Sequence, residues 1–281
     1  MIHIFKRKGE ITPSQKYSFK MLLNEIFGKE SEYIKVMIPA ILYLIQNNLN
    51  YYAASKLDAA TYQITYQIKI ITTAFFSIII LKRRLFKQHW ISLFILFIGI
   101  ALVQLPTGDN NKNNNKNTEF DKIIGVITII LGCLLSGLSG VYFEKILKKS
   151  KVTIWARNVQ LSLFSIILGY IVGVLFFDGE IVKKKGFFTG YTPWTILTII
   201  AQAFHGILIA IVVKYADNIL KGFATSISII LSCIISYYVL NFNITIIFTV
   251  GCALVIYATY VYSKPIKIEN NDIKCIKNIE E

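Results

Sequence analysis

Two stretches of the chain, Ile123 to Leu135 and Ile196 to Val213, contain no charged residue at all. A soluble amphipathic helix needs a charged or strongly polar face. A helix made from either run has no such face to turn toward water, and belongs in a bilayer. Composition points the same way: 54 % of the residues are hydrophobic and 16 % charged, against about 25 % charged in ordinary soluble chains. The expected fold class is all-α, a polytopic helical membrane protein.

Runs able to cross about 30 Å of hydrocarbon fall at roughly 36 to 54, 59 to 81, 89 to 106, 123 to 143, 155 to 177, 193 to 213, 218 to 240 and 244 to 263. Eight spans are therefore expected. Ahead of them, residues 1 to 35 are polar and basic and lack the apolar core of a cleavable signal peptide, so the first span must direct insertion. Between the third and fourth spans, Asn110 to Asn117 is an asparagine and lysine tract preceded by Pro106 and Gly108. Such a tract is too polar to pack and reads as a loop over 107 to 122.

The formal charge of +14 would suggest nucleic acid in a soluble protein. Here the basic residues sit mostly in connecting segments, which membrane topology explains without nucleic acid. One set of alternate connections holds most of them, including Lys6, Arg7, Lys8, Lys82, Arg83, Arg84, Lys145, Lys148, Lys149 and Lys264; the other holds Lys56, Lys112, Lys116, Lys122 and the trio Lys183, Lys184 and Lys185. Lys and Arg are retained on the cytoplasmic side, so both termini, including the tail from 264 to 281, are expected there. An even number of spans agrees.

Shifting the chain by 159 residues lays Ser55, Lys56, Leu57 and Asp58 on Lys214, Tyr215, Ala216 and Asp217 without a gap. In both copies an apolar run follows, ending at Leu81 and Leu240, then a short link and another run. Because the related runs cross in opposite senses, this is the pattern of an inverted duplication, whose binding site lies between the repeats. The first copy, 36 to 106, then has three helices, and the second, 123 to 263, has five.

Lys69 lies about ten residues from either end of its span, near the midplane, where a charged side chain costs roughly 2.5 kcal/mol or more. No acid lies in the same run to pair with it. Tyr62, Tyr66 and Lys69 share one helical face, with Gln63 and Gln67 beside it, and Tyr43, Gln46 and Asn47 share a face of the preceding span. These groups could bind helices to one another or line a polar cavity; a cavity accounts for so many donors more economically. Arg157 and Lys221 read as anchors at the headgroups, whereas Lys214 closes a long apolar run. Cations converging with phenols and carboxamides suit a ligand bearing a phosphate and a planar base.

Catalytic and metal chemistry find no motif. His3, His89 and His205 are dispersed, and Cys133, Cys233, Cys252 and Cys275 lack ligand spacing. The cysteines read as small apolar fillers outside any disulfide framework. Neither a Ser/His/Asp nor a Walker-type pattern occurs. The protein is not expected to be an enzyme or to need a cofactor.

Longer strings carry a resemblance. Tyr43-Leu-Ile-Gln46-Asn47-Asn48, the run from Leu57-Asp58 through Tyr62, Tyr66 and Lys69, Gly140-Val-Tyr-Phe-Glu144-Lys145, Arg157-Asn158-Val-Gln160, and Lys214-Tyr-Ala-Asp217-Asn218-Ile-Leu-Lys221-Gly222-Phe-Ala-Thr-Ser226 resemble the nucleotide-sugar transporter family of the Golgi and endoplasmic reticulum. The match runs from about residue 25 to 263.

The resemblance implies a fold of the drug/metabolite transporter type, ten helices in two inverted repeats, and antiport of a cytosolic nucleotide sugar against a lumenal nucleoside monophosphate. By motif position it implies that Tyr43, Asn47, Tyr62, Tyr66, Lys69, Asn158 and Lys214 line the nucleotide site, with the two lysines attending the phosphates. The wording around Lys221 to Ser226 is most similar to carriers of UDP-galactose and UDP-N-acetylglucosamine, so a UDP-sugar and UMP are the expected ligands. Residues 1 to 35 resemble the loop preceding the family's third helix, so two helices are expected to be missing. A truncated product, a short carrier completed by association with another copy, and a relic or regulatory partner of a full-length carrier all fit that reading.

Overall fold

The computed structural model describes residues 19–28, 31–104, 119–150, 152–177, 179–240 and 245–264. Its helices are α1 (Phe19–Phe27), α2 (Ile34–Lys56), α3 (Ala59–Tyr66), α4 (Ile68–Leu81), α5 (Lys87–Val103), α6 (Glu119–Lys149), α7 (Ile154–Gly169) continued as a π-helical stretch over Tyr170–Phe177, α8 (Gly179–Lys185), α9 (Pro193–Tyr215), α10 (Asn218–Leu240) and α11 (Ile246–Ser263). No strand occurs among the described residues. Each of the eight expected runs is mostly helical over its described residues. Five segments are long and apolar enough to cross a membrane: Thr61–Leu81, Glu119–Lys149, Ile154–Val174, Pro193–Tyr215 and Ile246–Ser263. Lys87–Val103 and Asn218–Ser232 are shorter apolar helices. The asparagine tract at 110 to 117 and the tail beyond Lys264 lie outside the described residues.

Local chemistry sets the ends of these helices. The side chains of Asp58, Thr153 and Thr245 accept from the amides of Thr61, Ala156 and Phe248, capping α3, α7 and α11. The Thr61 amide also holds the Asp58 carboxyl below its ordinary pKa, because it stabilises the ionised form. In α6, Glu119 and Asp121 lie in the first turn and Lys148 and Lys149 in the last, each sign opposing the helix dipole. Two helices form that the hydropathy reading leaves out, α1 and α8, since each is too short to register as a span.

The described residues fall into two compact units. One comprises residues up to Leu44 with Phe143–Tyr215, the other Ile45–Tyr142 with residues from Ala216 on. In the first, Phe143, Leu147, Ala210 and Val213 form a buried core with Ile154, Leu161 and Ile209 against it. A smaller cluster joins Ile26 of α1 to Val152 and Ala156.

In the second unit α5 packs closely on α11. A Cβ on Gly251 would lie 2.8 Å from the Gly99 carbonyl oxygen, and one on Gly99 would lie 3.0 Å from the Val255 nitrogen. Gln88 Nε2 donates to the Val261 carbonyl at 2.6 Å. Contacts therefore run in opposite numerical order along the two helices, which are antiparallel. Leu96 and Val255, related by the 159-residue shift, are both wholly buried at this seam. The same shift carries α2 onto α9 and the α3 to α4 span onto α10 with identical bounds, and α5 onto α11 to within one residue. It also carries Asp58 onto Asp217, which caps α10 through the Leu220 amide at 2.6 Å, as Asp58 caps α3.

Glycines along α6 admit neighbours from α2 and α4, an arrangement that suits helices in lipid, where small residues permit close van der Waals approach. A Cβ at Gly137 would come within 2.9 Å of Thr72 backbone, and at Gly132 within 2.6 Å of Asn50 Oδ1.

Candidate functional site

In the run 59 to 81, α3 passes into α4 at Gln67, whose backbone stays right-handed at φ −67° and ψ −15°. Gln67 is buried, and its Nε2 donates to Gln104 Oε1 at 2.7 Å. On the α6 side, Cys133 Sγ lies 3.5 Å from the Tyr66 carbonyl oxygen, and the Cys133 carbonyl accepts from Thr72 Oγ1 at 2.8 Å.

Tyr62, Tyr66 and Lys69 meet on one face of this segment. The two phenol rings are stacked, 5.8 Å between centroids and 12° between planes. Lys69 Nζ stands 3.9 Å from the centre of the Tyr66 ring, a cation–π contact. Lys221, in the first turn of α10, is half-buried. No carboxylate pairs with Lys69 among the described residues. An ammonium group without a counter-ion, set beside stacked aromatic faces, suits an anion that carries a planar base.

Lys221, expected as a headgroup anchor, lies in the first turn of α10, and the shift of 159 residues lays it on Tyr62. Arg157, expected as an anchor too, is a correction. It is 1 % exposed, with Nη1 donating to Gln160 Oε1 at 2.8 Å and Nη2 to Ser150 Oγ at 2.7 Å. Gln160 Nε2 donates in turn to the Ile26 carbonyl at 2.6 Å, so α1 covers this network and keeps the guanidinium from the headgroups.

The remaining expected residues are distributed as follows. Asn47 is exposed on the part of α2 in the second unit, next to buried Gln46, whose Oε1 has no hydrogen-bond partner among the described residues. Tyr43, Asn158 and Lys214 belong to the first unit, each half-buried. Asn158 Nδ2 is a buried donor without a partner among the described residues, and such a group is costly unless something else completes it. No group of three His, Cys, Asp or Glu side chains that could hold a metal occurs among the described residues.

The described residues form an all-helical fold with several helices long and apolar enough to cross a membrane, the class of a polytopic membrane transporter. The family model described as "Nucleotide-sugar transporter" matches residues 3–263, and the chain belongs to that family. It is 48 % identical over 256 residues to the UDP-N-acetylglucosamine transporter of Rattus norvegicus, covering 91 % of this chain and 78 % of that one. It is 46 % identical to a UDP-N-acetylglucosamine/UDP-N-acetylgalactosamine transporter of Caenorhabditis elegans, with 88 % and 76 % covered. Identity to the UDP-galactose translocator of Bos taurus is 47 %, over 83 % of this chain and 58 % of the translocator. One solved crystal structure shares the fold with a TM-score of 0.58 at 11 % identity, covering 87 % of this chain and 91 % of its own.

Proposed function

We propose that this protein exchanges a UDP-sugar, UDP-N-acetylglucosamine or UDP-galactose, for UMP across the Golgi or endoplasmic reticulum membrane, with both termini cytoplasmic. The observation that carries this reading is Lys69, without a carboxylate partner among the described residues, set against the stacked rings of Tyr62 and Tyr66. Phosphates of either ligand supply the missing negative charge, and the uracil ring finds aromatic faces. The relatives named above carry the sugars in question, which favours uridine nucleotides.

The matching helix bounds and the antiparallel α5 and α11 support an inverted duplication, with 36 to 106 as three helices of the first repeat and 123 to 263 as the second. Tyr43, Asn47, Asn158 and Lys214 are likewise assigned to nucleotide binding in this reading, by motif position. Exchange needs no ion gradient, since departing UMP resets the carrier. The test is uptake of labelled UDP-sugar by proteoliposomes. Preloading with UMP should accelerate uptake severalfold over empty vesicles, and equal rates would refute exchange. CMP-sialic acid should compete poorly.

A further inference from the structure

The connection between the π-helical stretch and α9 bears a cationic and aromatic face that nucleotide transport does not use. α8 ends in Lys183, Lys184 and Lys185, all exposed. Gly186, at φ +88°, stops the helix, and Gly190, at φ +87°, turns the chain again before α9. The Gly186 amide donates to the Val182 carbonyl at 2.9 Å, and Thr189 Oγ1 donates to the Lys185 carbonyl. These bonds hold the segment after the lysines in a defined turn.

Aromatic rings gather on that turn. Phe187 and Phe188 meet edge to face at 5.1 Å, and Phe188 and Tyr191 at 5.4 Å. Yet Phe188 is 72 % exposed, and Trp194, in the first turn of α9, is 76 % exposed. These rings are left uncovered by protein beside three lysines. Because membrane-crossing helices lie immediately before and after, the connection sits at a bilayer surface. Aromatic side chains favour the headgroup level, and exposed lysines beside them can donate charge-assisted hydrogen bonds to an anionic headgroup. Only Glu180 opposes the charge within α8, through a pair to Lys184 that is 3.9 Å long and largely exposed. Such a pair contributes little.

We propose that residues 183–194 form a docking face for anionic phospholipid, with the lysines on the headgroup and Phe188, Tyr191 and Trp194 inserted at its level. A basic trio among the otherwise sparsely basic connections departs from the usual charge distribution of membrane proteins, and recruitment of an anionic lipid gives that departure a purpose. Since Pro193 and Trp194 begin α9, the docked lipid also fixes the depth of that helix. The assignment stands independently of which solute is carried.

The experiment uses the full chain in a neutral maltoside detergent, with thermal stability followed during titration with short-chain phosphatidylserine, phosphatidylcholine or inorganic phosphate. Phosphatidylserine should stabilise the protein at a concentration about a hundredfold below phosphatidylcholine, three lysines each contributing on the order of fivefold. Inorganic phosphate, lacking acyl chains, should do little. The triple variant K183Q/K184Q/K185Q should melt as the wild type does without lipid and lose the preference. Raising salt from 0.05 to 0.5 M should erode the preference in unmodified protein, an arm that needs no variant. Equal response to the two lipids, a preference that persists in the triple variant, or inorganic phosphate matching phosphatidylserine would each overturn the proposal.

Discussion

Arg83 Nη2 donates to Asp217 Oδ2 at 2.7 Å, while the other oxygen of that carboxylate accepts from the Leu220 amide at 2.6 Å. One side chain thus joins the link after α4 to the turn before α10 and caps α10. The Asp217 side chain is 11 % exposed, so the pair is poorly screened.

Removing both roles should cost more than removing one. Asp217→Ala is expected to destabilise by about 2 to 4 kcal/mol, because it removes a cap and strands a partly buried guanidinium. Asp217→Asn keeps a capping oxygen and should lose less. The swap R83D/D217R restores opposite charges but not the cap, and should recover only part of the loss. Melting temperatures of the three variants in detergent decide this; full recovery by the swap would show that the cap contributes nothing.

The α5 and α11 seam yields a second expectation. A methyl at Gly251 meets backbone at 2.8 Å on Gly99 and Val103, so the helices must separate to admit it. Gly251→Ala should destabilise by about 1 to 3 kcal/mol. Gly206, within α9, has nothing within 4 Å of its added Cβ, and Gly206→Ala should be neutral or slightly stabilising. If the two variants melt alike, the close approach contributes nothing to stability.

Much of this architecture can be read from hydropathy, since helix length and apolarity dominate in lipid. The 218 to 240 run coincides with α10, and Lys69 stands out as an isolated midplane charge. What hydropathy cannot show is tertiary cover. Arg157 looks like an anchor until α1 closes over Gln160, and α1 is a nine-residue helix in a polar segment. The bond from Gln67 to Gln104 is equally hidden, because the two are remote in sequence.

Lys69 makes a specific demand on ligand binding. Lys69→Ala should abolish the stabilisation produced by UMP, while the ligand-free melting temperature stays level or rises as the cost of an isolated midplane charge is relieved. Lys214→Ala should weaken UDP-sugar more than UMP if that lysine meets the outer phosphate. Thermal shift with both ligands separates these cases. A large fall in the ligand-free value for Lys69→Ala would instead make that lysine a structural element.

Asn158 offers a test in which stability and binding should part. Its Nδ2 is buried without a partner among the described residues, and an unsatisfied buried donor costs about 1 to 3 kcal/mol. Asn158→Leu, of similar volume, removes the donor and should leave the ligand-free protein as stable as before or more so. If the nucleotide supplies the missing acceptor, the same change should weaken UMP binding by about tenfold, the effect of one hydrogen bond. Asn158→Asp keeps the shape but replaces the donor with a negative charge, so it should bind UMP more weakly than Asn158→Leu does. Affinity measured by competition with UDP-sugar, beside the melting temperature of each variant, resolves the role: unchanged affinity with a lowered melting temperature would make Asn158 a packing residue of the first unit.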